Sequence, residues 1–366
     1  MKFRNSKKYD KLVFVHPNFY SDDTIYFIRK TIFETIPELK EILPVNKSLA
    51  IIYNYLRKRH IDKNVLILNE GSHENILHVN ISQNTTNISL YRVECSKFSK
   101  SSYNISFKNK GSHERINVLG GGNLLDKKIA KLIDSYLTKL LKIHDDNKSM
   151  STYSGIFIFF PCFERIEDDA IIHQERALYN LLDSIHDAKT KLDNETKCLS
   201  IRIPYDMDLR AMSFLYMTDD SFDLFKKKMK NEFYLRKDDY KMFIDFPLGI
   251  VNDYLKKEYL SDQIFEPLNS IIRDGENNFI KVNSVIISEE YLCVPYIKDN
   301  IVEYINNLQD IPVNIHTIDF RNIFDIISEG ALYYGINTNS EGSTFLTLNT
   351  RDQIKHFVPW PEEIFH

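Results

Sequence analysis

The sequence predicts an α/β layered protein, and three observations carry that reading. Short strands rich in Val, Ile and Phe alternate with stretches of helical period, an order that neither all-α nor all-β chains show. Hydrophobic residues make up 43% of the 366, with 24 Phe and 21 Tyr, which suits a large core of two lobes and excludes general disorder. The longest apolar run, GIFIFFPCF at 155–163, is far too short to span a bilayer, so the apolar content belongs to a packed interior.

Each element follows from its local pattern. KLVFV (11–15) is a buried strand ended by Pro17. Ser21 then caps a helix with Asp22 and Asp23 in its first turn, where carboxylates complement the positive helix end. Ile25, Ile28, Ile32 and Ile36 form the stripe of that helix, and Pro37 stops it. A second helix covers about 47–58. NVLIL (64–68), NILHVNI (75–81), NISLYRVE (87–94) and YNISFKN (103–109) are strands of one meander. GGGNLLDKKIAKLIDSYLTKLL (120–141) opens on three glycines and continues as an amphipathic helix through Ile129, Leu132, Ile133, Tyr136, Leu137 and Leu140.

The polar stretch HDDNKSMSTYSG (144–155) marks a loop and a subdomain edge. Leu178, Leu181, Leu182, Ile185, Ala188 and Leu192 set out another helix, and CLSIRIPY (198–205) and MSFLYMT (212–218) an antiparallel pair. Helices are expected at 221–232, 248–260 and 265–273, then a strand at 282–288, a helix at 297–308, a strand at 313–318 and a last helix at 323–334. No fixed-period repeat occurs.

Composition narrows function mostly by exclusion. A formal charge of −4 gives no electrostatic case for nucleic acid or an acidic membrane surface, and Lys226, Lys227, Lys228 and Lys230 read as a solvated helix face. Cys95, Cys162, Cys198 and Cys293 are scattered without a CxxC pair, which points to reduced thiols in a cytoplasmic protein. The basic start precedes only a five-residue apolar stretch, LVFVH, so neither a signal peptide nor an anchor is expected. HENILH approaches a zinc-protease motif but spaces His73 and His78 five apart in a region that reads as strand, so no metal site is expected there. GxSxG and GxxxxGK[ST] motifs are absent. The glycines at 120–122 permit close approach of a phosphate or, equally, a strained strand-to-helix turn.

Several stretches, in order, resemble the nucleotide-binding domain of the heat-shock protein 70 chaperones, which have the actin-like ATPase (ribonuclease H-like) fold. KLVFVHPNFYSDD is similar to the family's strand, proline and helix start, and NKSLAIIYNYL to the Ala-rich helix after it. HVNISQNTTNISL falls where the family has its phosphate hairpin, D-L-G-G-G-T-x-D, and NVLGGGNLLDKKIAKLI resembles the L-G-G-x-x-F-D segment. RALYNLLDSIHDAKTKL is similar to the adenosine-binding helix. VNSVIISEEYLCVPYIKDNI resembles the turn that closes over adenine, and ISEGALYYGI the closing helix.

The resemblance implies an incomplete first lobe at 1–60 and a second-lobe sheet domain at 61–120 and 251–325. It implies an inserted helical and antiparallel subdomain at 121–250, and a closing helix and tail at 326–366. By the same resemblance, the family's first phosphate loop, catalytic lysine and substrate-binding domain are not expected among residues 1–366.

The ligand positions have changed. Asn80 and Asn87 stand at the two hairpin aspartates, Ser82, Gln83 and Asn84 at its three glycines, and Thr85 alone matches. Gly120 and Gly121 lie at the glycine turn. On the adenosine helix Lys189 matches, while His186, Thr190 and Asp193 depart from the pattern. Glu289 and Glu290 replace Gly-Gly, Tyr291 the Ser and Cys293 the Arg, and Glu329 stands at the closing-helix Asp. Asparagine lacks the anionic oxygens that hold magnesium and its waters. An inward Glu290 at about 4 Å from a phosphate would cost on the order of 4 kcal/mol, roughly a thousandfold in affinity.

The expectation is therefore a chaperone-like protein without catalysis and without a cofactor, working through protein contacts with another chaperone, the ribosome or a large assembly. No direct nucleic acid and no membrane partner is expected. The alternatives are an active ATPase using ATP/ADP and magnesium, or a structural subunit of an assembly. The tail around Trp360 is a candidate strap or peptide-binding segment.

Overall fold

A computed structural model describes residues 11–63, 73–99, 102–116, 121–147, 171–192, 195–203, 219–229, 234–238, 241–273, 278–289, 296–309, 313–318, 322–338 and 344–347. Over these residues the protein is mixed α/β. The strand at 64–68, the strand at 212–218 and the tail around Trp360 lie outside them.

The chain opens with a βαβ unit: β1 (Lys11–His16), helix α1 (Asp22–Thr35) and β2 (Glu41–Asn46), with β1 and β2 parallel. The Ser21 hydroxyl accepts the Thr24 backbone N–H at 3.2 Å and so satisfies one of the unpaired donors at the start of α1. Strand β2 was not expected from the sequence, because EILPVN carries a proline. Pro44 lies opposite Phe14, and β2 pairs only with β1 among the described residues, so it is an edge strand where a missing N–H is tolerated. Helix α2 (Lys47–Lys63) follows with no loop, its first turn capped by Asn46 Oδ1 accepting from the Leu49 N–H at 2.7 Å.

The main sheet has six strands in the order β10-β9-β3-β4-β5-β11. β3 (His73–Ile81), β4 (Thr85–Ser99) and β5 (Ser102–Ile116) form an antiparallel meander. β9 (Ser284–Glu289) joins parallel to β3 and β10 (Asn314–Ile318) parallel to β9, while β11 (Thr344–Thr347) closes the far edge against β5. Between β5 and β9 the chain forms α3 (Gly121–Asn147), α4 (Ile171–Thr190) and a second sheet of order β6-β8-β7. This sheet holds β6 (Cys198–Ile203), β7 (Leu235–Asp238) and β8 (Lys241–Pro247), with α5 (Asp219–Met229) between β6 and β7. The described partner of β6 is thus β8, a strand not expected from the sequence.

Where two helices were expected at 248–260 and 265–273, one continuous helical run is found. It comprises α6 (Leu248–Leu255), a π-helical stretch (Lys256–Phe265) and α7 (Glu266–Ile271). Then α8 (Tyr296–Gln309) links β9 to β10, and α9 (Ile323–Asn337) follows β10.

Period-two alternation on β3, β4 and β9 decides what each face of the main sheet meets. Leu77, Val79, Ile81, Ile88, Leu90, Val285 and Ile287 face one apolar core shared with Leu125, Ile129, Ile133 and Leu137 of α3. Ile76, Tyr91, Val93 and Ile286 face a second core with Ile51, Ile52 and Leu56 of α2 and Ile323 and Ile327 of α9. Among the described residues, no helix is long and apolar enough to cross a membrane.

Candidate functional site

The face of β3, β4 and β9 that α2 covers is apolar only in its middle. Toward the C-terminal end of β3 the same alternation brings up His78, Asn80, Asn87, Ser89 and Ser288, all buried. The register makes them neighbours: Asn80 lies opposite Asn87 on one side and Ser288 on the other, and His78 lies opposite Ser89. Polar side chains at these depths are tolerated when they bond one another.

They do. The Ser288 hydroxyl donates to Asn80 Oδ1 at 2.8 Å, and His78 Nε2 lies 2.7 Å from that hydroxyl. His78 Nδ1 lies 2.8 Å from the Ser48 hydroxyl at the start of α2. Asn87 Oδ1 accepts from Asn18 Nδ2 and from the Ser89 hydroxyl, each at 2.9 Å, and Asn18 Nδ2 also reaches Ser48 at 2.6 Å. The Nδ2 of Asn87 has no acceptor among the described residues. Burial, reinforced by the nearby Lys47 charge, pushes the His78 pKa down to about 3, so its imidazole is neutral.

A second cluster surrounds the hairpin turn. The Ser82 and Thr85 hydroxyls bond each other at 2.7 Å, and Thr85 N–H donates to Ser82 Oγ at 3.1 Å. The carbonyls of Ser82 and Gln83 accept the backbone N–H groups of Gly122 and Asn123 at 2.8 and 2.9 Å, and the Gly121 N–H donates to Thr86 Oγ1 at 2.9 Å. The first donors of α3, the groups a helix N-terminus offers an anion, are therefore spent on the hairpin. Gly121 has φ +72, and a Cβ there would lie 2.5 Å from the Thr85 nitrogen and 2.7 Å from the Gln83 and Ser82 oxygens. Of the two readings of the glycine run, the tight strand-to-helix contact is what Gly121 makes. Tyr259, from the π-helical stretch, donates to the Gly121 carbonyl at 3.2 Å from the other side. Asn123 Nδ2 donates to Asn84 Oδ1 at 2.6 Å.

The remaining candidates lie in separate pairings. Lys189 is fully buried in an ion pair with Asp126 of α3, which ties α4 to the helix beneath the main sheet. His186 is half-buried, and the exposed Thr190 donates to the Asp187 carbonyl of its own helix at 2.7 Å. Glu329 on α9 accepts from Asn54 at 2.9 Å and pairs with Lys58 at 3.2 Å, both on α2. Partial burial opposes ionisation of Glu329, but these hydrogen bonds and the Lys58 and Arg57 charges outweigh it and hold the carboxyl below its usual range. Glu289 ends β9, opposite Ile81. Gly120, Asp193, Glu290, Tyr291 and Cys293 lie outside the described residues.

Chemically, the clustered donors at the sheet end are amides, hydroxyls and one neutral imidazole. A magnesium–triphosphate there would need a counter-charge that none of Asn80, Asn87, Ser48 or Ser288 supplies, and it would have to displace hydrogen bonds already made. These residues do not fit that group. Among the described residues no three His, Cys, Asp or Glu side chains gather as a metal site. Glu74 instead receives two hydrogen bonds from Arg59, at 2.8 and 3.0 Å.

Sequence reasoning missed Asn18, Ser48, Ser89, Ser288 and Tyr259, and weighed His78 only as a zinc ligand. The available signal was the alternation itself, which puts His78 and Asn80 of β3, Asn87 and Ser89 of β4 and Ser288 of β9 on the face that also carries Ile76, Tyr91, Val93 and Ile286. Compared with known proteins, the chain matches no family model, and no curated protein matches it.

Proposed function

We propose that the chain is a non-catalytic relative of the heat-shock protein 70 nucleotide-binding domain that works through protein contacts, as a co-chaperone, scaffold or translation-associated factor in the cytoplasm. One observation carries the reading: at the sheet end where the family holds magnesium and phosphate, Asn80 and Asn87 are hydrogen-bonded into a buried network of neutral side chains. The framework reading is supported by the strand order, a meander β3-β4-β5 extended on the β3 side by parallel β9 and β10, which is compatible with a ribonuclease H-like lobe.

A contact role has its own support. No residue of α1 is buried, and Tyr26 and Phe27 on it are each 68% exposed. Adjacent large apolar groups such as Tyr26 and Phe27 are the kind of surface that a protein partner covers when they belong to a contiguous patch.

Calorimetric titration with magnesium–ATP tests the reading. No saturable heat is expected up to millimolar nucleotide, and micromolar binding would restore the active-ATPase alternative. Affinity capture from native extract, repeated with Tyr26→Glu/Phe27→Glu, tests the contact role. A chaperone or ribosomal partner lost in the double variant is the expected result, and a stoichiometric assembly indifferent to the variant would favour the structural-subunit alternative.

A further inference from the structure

The polar network has a direction, and the direction assigns a task to His78. Ser288 has one hydroxyl proton, which goes to Asn80 Oδ1, so its oxygen accepts from His78 and places the imidazole proton on Nε2. His78 Nδ1 is then an acceptor, and the Ser48 hydroxyl, which has Asn87 Oδ1 at 3.3 Å as its other acceptor, donates to the nearer imidazole nitrogen at 2.8 Å. Ser48 in turn accepts from Asn18 Nδ2. The hydrogen bonds run one way, from Asn18 through Ser48, His78 and Ser288 to Asn80.

The two ends of this chain belong to different parts of the fold. Asn18 follows β1 of the opening βαβ unit, and Ser48 starts α2, which continues from β2 without a loop, so both lie on the opening segment β1–α2. His78, Asn80 and Ser288 belong to the main sheet. The α2 face also packs in an apolar core on the main sheet, but apolar packing is non-directional and does not select a hydrogen-bonded register. A buried directional chain tolerates less, because breaking any link strands a polar group at a depth where it costs several times a made bond.

We propose that His78, relaying between Ser48 and Ser288, is a clasp that locks the opening segment β1–α2 against the main sheet in one fixed orientation. This inference stands apart from the chaperone-like reading, since it concerns only the relation of the two parts.

Two measurements on the full-length chain test it. Nitrogen NMR of the histidines should show His78 as the pure Nε2–H tautomer, and Ser288→Ala should convert it to a mixture. A wild-type mixture, or the Nδ1–H form, overturns the relay. For orientation, spin labels at Lys30→Cys on α1 and Ser106→Cys on β5, both exposed positions, go into a background with the four native cysteines replaced by serine. One narrow distance distribution is expected, at least doubled in width by Ser48→Ala. A broad distribution without that substitution overturns the clasp, as does a narrow one that Ser48→Ala and Ser288→Ala leave unaltered. Should Ser48→Ala fail to fold, Ser48→Thr, which keeps the hydroxyl, should retain the narrow distribution, and broadening there counts against the proposal.

Discussion

Gly330 of α9 lies directly against the backbone of Ala50 in α2, close enough that a Cβ on the glycine would collide with the Ala50 carbonyl oxygen. Two helices approach this nearly only where one has no side chain, and here the contact seals the second core. Gly330→Ala should therefore destabilise the protein by about 3 kcal/mol or more, because backbone rather than a flexible side chain must move. Chemical denaturation measures it. A loss under about 1 kcal/mol would mean that α9 can shift away from α2 freely.

Gly121 presents the same problem with backbone strain added. Its φ of +72 disfavours an L side chain by roughly 1–2 kcal/mol, and a Cβ would press on three backbone atoms of the Ser82–Thr85 turn. Gly121→Ala should part the hairpin from α3. Hydrogen exchange at the Gly122 and Asn123 amides, which donate to that turn, should accelerate more than exchange along β6. Uniform acceleration would point to global destabilisation instead.

How much was legible follows from which signals are local. The helix α1, the meander strands β3, β4 and β5 and the helix opened by glycines are written in spacing over ten or so residues, and they stand where the spacing put them. β2 was hidden because Pro44 is a strand signal only at an edge, and edges are a property of the sheet. The π-helical stretch split one helix into two apparent ones because ten residues of wider pitch interrupt the period. The polar network was illegible as a unit, since Asn18, Ser48, His78 and Ser288 meet across a separation of 270 residues. Asn80 and Asn87 could be singled out by resemblance, but their partners could not.

Lys189 and Asp126 illustrate a position whose environment the sequence did not disclose. Lysine at this place resembles an adenosine ligand, yet its side chain is fully buried against the Asp126 carboxylate. Removing one partner leaves the other charge in the interior, so Lys189→Met alone should cost roughly 3–5 kcal/mol. Lys189→Met with Asp126→Leu should recover most of that loss, because a well-packed apolar pair replaces a buried ion pair at little net cost. Thermal denaturation of wild type, the single variant and the double variant gives the comparison. A double variant no better than Lys189→Met would mean that other partners of the pair matter more.

His78 makes stability depend on pH over a window its neighbours do not share. Burial, then the Lys47 charge, lowers its pKa from 6.5 to about 3, so the unfolded chain takes up a proton below pH 6.5 that the folded chain refuses. The unfolded state binds more protons there, and the His78 contribution is complete above pH 6.5 and lost as pH falls toward 3. Between pH 6.5 and 5 the loss amounts to about 2 kcal/mol. Glu329, with its pKa held below 4.5, begins to lose its contribution only in more acid solution, and so lies outside this window. His316 is lowered as well, by burial and then Lys58, and adds a slope of the same sign. The comparison is therefore between wild type and His78→Gln, which keeps the His316 slope and removes that of His78. Denaturant midpoints at pH 7, 6 and 5 should fall more steeply for wild type than for the glutamine variant. Parallel lines would place His78 in water-like surroundings, and the closed relay from Ser48 to Ser288 would be untenable.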